Sequence, residues 1–167
     1  INVVSGLAYG IDIYAHRAAI KAGGKTTAVL AHGLDTIYPA RHTKRALDMC
    51  EQGGLLTEYL TGTKPDPPLF PARNRIISGI CRAVLVVEAA AKGGALITAK
   101  AAFDQNREVY ALPGRLGDPY SQGCNKLIQN QIARLVMSPE EILEDLQISW
   151  QHHDDQSEQL SLALAAP

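Results

Sequence analysis

Short aliphatic and β-branched runs alternate along the chain with longer stretches whose apolar residues recur at helical spacing. Residues 1–4, 26–31, 54–58, 83–89 and 108–112 read as strands, and several of them are apolar on both faces. Such strands belong to a parallel sheet covered by helices, because a half-exposed strand alternates apolar and polar residues. The stretches 12–22, 43–52, 73–80, 96–105 and 123–131 read as the intervening helices, with Gly23-Gly24 stopping the first. This alternation predicts an α/β fold built on an open, doubly wound, mostly parallel sheet with helices on both faces. A last helix is announced by Ser138 as N-cap, Pro139 at the first helical position and Glu141 in capping-box register, with Ile142, Leu143 and Leu146 on one face. It is expected to close a domain spanning 1–149. Residues 150–167 turn polar and read as a tail or linker, in which the adjacent His152 and His153 are solvated surface rather than metal ligands.

With 167 residues the chain is long enough for one domain that buries roughly 70% of its unfolded surface. Cys50, Cys81 and Cys124 are odd in number and form no C-x-x-C pair, so they are expected to be reduced core thiols in a cytoplasmic protein. No apolar run approaches the ~20 residues of a membrane helix. The sequence opens at Ile1 inside a strand-like run, as a piece of a longer protein would. Net charge is -1, yet all 16 Lys and Arg lie between Arg17 and Arg134, so local pattern rather than total charge decides what the chain binds.

Ligands of open α/β sheets bind beyond the carboxyl ends of the strands, which directs attention to the loops there. The first strand runs into SGLAYGID, where Ser5, Gly6, Ala8 and Gly10 are small enough for backbone N–H groups to reach an anion at a helix N-terminus. The alternative is a plain strand-to-helix turn with Asp12 as its cap. His16, one turn beyond Asp12, is read as structural before it is read as a ligand. After the second strand, Arg41, Lys44 and Arg45 crowd the start of a helix and read as a solvated face. After AVLVVEA, Gly93 and Gly94 precede an apolar helix and are flanked by Lys92 and Lys100, a second candidate phosphate nest; Pro113-Gly114-Arg115 makes a third loop at the same edge. PARNRIISG places Arg73 and Arg75 at the start of a helix near these turns, as permanent planar donors for phosphates or as partners of Asp66, Glu58 or Glu88. Phe70 and Tyr59 are available either to stack on bases or to pack in the core.

In order and spacing, SGLAYGID with Ala15-His16, GLDTIYP, FPARNRIISG, VLVVEA, GGALITA and ALPG followed by SQGCNKLI resemble the DNA-processing protein A family, also called Smf. The resemblance covers about residues 1–146. It implies an extended Rossmann domain that binds single-stranded DNA and delivers it to the RecA recombinase during natural transformation, as a homodimer without cofactor, metal or membrane contact. Carried over residue by residue, it implies that Ser5, Gly6, Arg73, Asn74, Arg75, Gly93, Gly94 and Thr98 border the phosphate pocket. The family's preceding strand with a Gly-Ser-Arg turn and its frequent C-terminal winged helix both fall outside this sequence. Within it, the helix end near LIQNQIARLV lacks the Gly-Ala often found there in the family.

The competing enzyme reading is a phosphoribohydrolase-like activity on nucleotides, which needs a carboxylate beside the phosphate turn. KGGALITAKAA offers no Asp or Glu there, and the chain has no Ser-His-Asp, paired-carboxylate or metal-ligand set, so no catalytic residue is expected; Asp12 and Glu88 are the only acids worth testing. A protein-interaction fragment with a vestigial pocket would need neither Arg73 nor Arg75.

Overall fold

Each expected strand forms within a few residues of its apolar run in the computed structural model, which describes residues 1–149. β1 (Asn2–Ser5), β2 (Lys25–Val29) and β3 (Gly54–Leu56) make one parallel sheet in the order β1-β2-β3. β4 (Ala83–Val86), β5 (Glu108–Ala111) and a two-residue β6 (Arg134–Leu135) make a second in the order β4-β5-β6. The fold class is the expected one, with the ladder divided into two three-stranded halves. The middle strands carry the cores: Thr26, Ala28 and Val29 of β2 and Val109, Tyr110 and Ala111 of β5 are buried, since these strands have neighbours on both edges. Around β5 the core is built largely of alanine, with Ala99, Ala102 and Ala111 beside Val86, Val109 and Leu127. Small side chains let the helices sit close to the strands.

The helices are α1 (Ile11–Lys21), α2 (Thr43–Gln52), α3 (Leu69–Ile80), α4 (Gly94–Asp104), α5 (Gln122–Gln129) and α6 (Pro139–Asp145). α1 is stopped as expected by Gly23-Gly24: Gly23 N–H donates to Ile20 O at 3.0 Å, and the left-handed φ of 67° at Gly23 lets Gly24 N–H reach Ala19 O at 2.9 Å. α3 starts four residues earlier than the expected Arg73. Pro68 is its N-cap and Pro71 lies in its first turn, where no intrahelical N–H is required. Arg73 therefore sits in the second turn of the helix instead of at its exposed beginning, and it is buried. α5 stops at Gln129, two residues short of the expected end; Gln131 takes a left-handed φ of 57° and turns the chain into β6, which is too short to leave a pattern in the sequence.

α3 joins the two sheets. Toward the first, Arg73 Nη1 donates to Gly6 O at 3.1 Å and to Val29 O, just past β1 and at the end of β2. Toward the second, Ser78 Oγ donates to Gln105 Oε1 at 2.7 Å, Gln105 Nε2 to Arg75 O at 3.1 Å and Arg107 to Gly79 O at 2.8 Å. No ladder connects the sheets among the described residues, so these side-chain bonds and the packing of α3 on α4 do so.

The chain divides into two units, Ile1–Met137 and a second from Ser138 onward. In the second, Ser138 caps α6 as expected, its Oγ accepting from Glu141 N–H at 3.4 Å. The tail with His152 and His153 lies outside the described residues. All three cysteines are free thiols, but only Cys124 is buried; Cys81 is half-buried and Cys50 is exposed in the last turn of α2, its Sγ donating to Ala46 O at 3.3 Å, which corrects the expectation of three core thiols. Among the described residues no helix is long and apolar enough to cross a membrane.

Candidate functional site

The turn after β1 is a nest of backbone amides, and it is filled from within. Leu7 holds a left-handed φ of 58° although its side chain is fully buried, a conformation that costs of order 1–3 kcal/mol and persists only where its surroundings over-determine it. Here the core holds the side chain and His42 Nδ1 donates to Leu7 O at 2.8 Å. The left-handed residue turns the amides on either side toward one point, where Asp12 Oδ2 accepts from Gly6 N–H at 2.9 Å and from Ala8 N–H at 3.2 Å. Asp12 is thus not the N-cap of α1, which is Gly10 with a φ of 81°. It is an internal anion in the turn that the sequence offers to a phosphate.

Arg73 stands over this turn. A Cβ on Gly6 would lie 2.6 Å from Arg73 Nη2 and 3.0 Å from Asp12 Oδ2, so glycine is required there by close approach. Burial lowers the guanidinium from its ordinary pKa, with Asp12 and Tyr59 opposing; the group stays protonated at any physiological pH. Nε donates to Asn74 Oδ1 at 3.0 Å, which brings Asn74 into the same network. Arg75 points elsewhere. Its side chain is 58% exposed and pairs with Glu58, not with Asp66 or Glu88. Phe70 is half-buried, its ring 5.9 Å from that of Tyr38 and 5.9 Å from Arg73 Cζ. Arg45 forms an ion pair with Asp48 at 2.8 Å on the surface of α2.

Beneath the turn, His16 is fully buried. Its Nδ1 lies 2.6 Å from Thr26 Oγ1, which itself donates to Val3 O at 2.8 Å. The hydroxyl therefore accepts from Nδ1–H, and Nε2 is left as an unprotonated atom without a partner. Burial pushes the His16 pKa down to about 4, with Asp12 opposing and His42 adding. An unfolded His16 takes up a proton near pH 6.5 and the folded one only near pH 4, so stability falls as pH drops through that window, by about 3 kcal/mol in all. Urea unfolding of the wild type between pH 6.5 and 4 is expected to lose stability more steeply than that of His16→Gln. Parallel curves would show that His16 does not stay neutral in the fold.

At the carboxyl end of β4, Gly93 is the N-cap of α4 and is crowded, with Ala90 N and O 3.3 Å from a built Cβ. Gly94 is different. Nothing lies within 4 Å of its Cβ position and its φ is not left-handed, so neither packing nor conformation asks for glycine. Lys92 is exposed beside it and Thr98 lies in the second turn of α4. Lys100 is six residues past the helix start, about 9 Å along the axis, and is not gathered to this turn. The third loop is locked by a residue not singled out in the sequence: Asn125 donates to Gly114 O and accepts from Gly114 N–H, both at 3.0 Å. Ser5 ends β1 half-buried.

The model of the DNA recombination-mediator protein A family matches residues 1–147. The chain belongs to this family. Protein Smf of Escherichia coli is 52% identical over 148 residues, which are 88% of this chain and 39% of that protein. The DNA processing protein DprA of Bacillus subtilis is 49% identical over 144 residues, 86% of this chain and 48% of its own length. The chain thus spans half or less of these relatives. Among solved structures, DNA processing protein A from Streptococcus pneumoniae superposes with a TM-score of 0.80 at 45% identity, covering 87% of this chain and 51% of that one. DNA processing protein A from Helicobacter pylori, whose structure describes a single-stranded DNA binding mode, superposes with a TM-score of 0.78 at 30% identity, covering 86% and 65%.

Within the family fold, the two glycine turns differ in what they leave open. The first uses its amides on Asp12 and its arginine on backbone carbonyls; the second ends in unfilled space at the start of a helix.

Proposed function

We propose that this chain binds single-stranded DNA through phosphate contacts at the carboxyl ends of its strands, without doing chemistry on it. The observation that carries this is Gly94: a glycine that the fold itself does not need, at the N-terminus of an eleven-residue helix, beside the exposed Lys92. A side chain there would obstruct nothing but a ligand, and backbone approach to an anion is what a bare helix start provides. The binding described for the Helicobacter pylori relative supports the same role. Binding rather than catalysis is favoured because Asp12, one of two acids available for chemistry, is committed to the Gly6 and Ala8 amides. We further infer the family's setting for this chain, delivery of the bound DNA to RecA by a homodimer in the cytoplasm.

The test is fluorescence anisotropy of a labelled oligo-dT across a salt series. Affinity is expected to fall with a log–log slope of about −0.7 for each phosphate neutralised. The informative variant is Lys92→Ala, not one at Arg73. Lys92 is exposed, so the fold is retained. The variant is expected to flatten the slope by about 0.7. Binding that ignores salt, or a slope unchanged in the variant, would defeat the proposal.

A further inference from the structure

Tyr9 directly follows Ala8 in the first turn and projects from the carboxyl end of β1 with 59% of its surface exposed. An exposed tyrosine alone is ordinary. This one is held. Its ring meets that of His42 edge-on, with centroids 5.0 Å apart and planes at 69°. His42 is itself buried and fixed by its bond to Leu7 O at 2.8 Å. Arg41, exposed in the short 3-10 turn Ala40–His42, lies over one face of the Tyr9 ring with its guanidinium carbon 5.7 Å from the centroid, so a base would use the opposite face. An oriented aromatic ring with an adjacent planar cation, one residue from an amide-lined turn, matches what single-stranded nucleic acid requires. A base finds a face to stack on and the neighbouring phosphate finds a positive charge. Neither residue has another evident task. Tyr9 is largely outside the core, and Arg41 makes no ion pair among the described residues. Because the flanking Gly10 has a φ of 81° and open space around it, backbone on that side does not obstruct a base.

We propose that Tyr9, braced by His42 and flanked by Arg41, is a stacking platform for one nucleobase of the bound strand. This rests on the single-stranded DNA reading above and adds to it a contact made by a base instead of a phosphate. Stacking on an aromatic side chain is tolerant of sequence, so little base preference follows from it.

The experiment compares wild type, Tyr9→Phe, Tyr9→Leu and Arg41→Ala by anisotropy on oligo-dT and on an abasic oligomer of the same length. Tyr9→Leu is expected to weaken oligo-dT binding about tenfold, leave the salt slope unchanged and have no effect on the abasic oligomer. Tyr9→Phe is expected to bind like wild type. Arg41→Ala is expected to flatten the slope by about 0.7 on both ligands. Equal oligo-dT affinity for Tyr9→Leu and wild type overturns the platform and leaves DNA binding intact, whereas no binding by wild type overturns the DNA reading itself. Photo-crosslinking of wild type to an oligomer carrying 5-iodouracil needs no variant: a crosslink at Tyr9 supports the platform, and crosslinks confined to other residues overturn it.

Discussion

Arg73→Ala is expected to lower the stability of the fold by about 3–5 kcal/mol, and to abolish DNA binding only through that loss. Arg73 is 4% exposed and its guanidinium donates to Gly6 O and Val29 O, two carbonyls that no ladder bond replaces at the ends of β1 and β2. Truncation strands both in a buried site at roughly 1–3 kcal/mol each, leaves a cavity over Gly6, and removes the positive charge facing Asp12. It also cuts the tie between α3 and the first sheet. Urea unfolding checks the magnitude, and Arg73→Lys separates charge from geometry: a lysine keeps the charge but cannot fork to two carbonyls, so it is expected to recover less than half of the loss. A stably folded Arg73→Ala protein that has lost only DNA affinity would mean that Arg73 is a ligand contact and not a structural one.

Gly53→Ala is expected to cost about 3 kcal/mol or more. Gly53 ends α2 and leads into β3, and a Cβ there would fall on the Thr26 carbonyl, with Thr26 C at 2.7 Å and N at 2.9 Å. The obstacle is backbone of the central strand, so β3 and β2 would have to separate. The disturbance would reach the candidate site, since Thr26 also receives His16 Nδ1–H and donates to Val3 O. Its neighbour is the internal control. Gly54 has nothing within 4 Å of its Cβ position, and Gly54→Ala is expected to stay within about 1 kcal/mol of wild type. Thermal or urea unfolding of the two variants side by side gives the contrast, and equal stabilities would show that β3 yields freely.

The sequence by itself determined the alternation of five strands and six helices, the loops where ligands gather and the family, because each rests on local pattern: doubly apolar strand runs, glycine stops, the Ser138-Pro139 cap, and strings such as RNRIISG. It did not show that Arg73 and Arg75, two residues apart, have opposite fates. That depended on α3 beginning at Leu69, which turned one guanidinium inward to carbonyls from residues 67 and 44 positions away and the other outward to Glu58. Nor did it show that Asp12 fills the first nest, or that His42 braces Tyr9, since hydrogen bonds and ring contacts between distant loops carry no periodicity. Gly53 and Gly54 look identical in the chain and are distinguished only by what β2 places next to them. Tertiary structure decided these matters because whether a polar group serves a ligand or the fold depends on which unpaired backbone groups lie within its reach, and only folding brings those groups together.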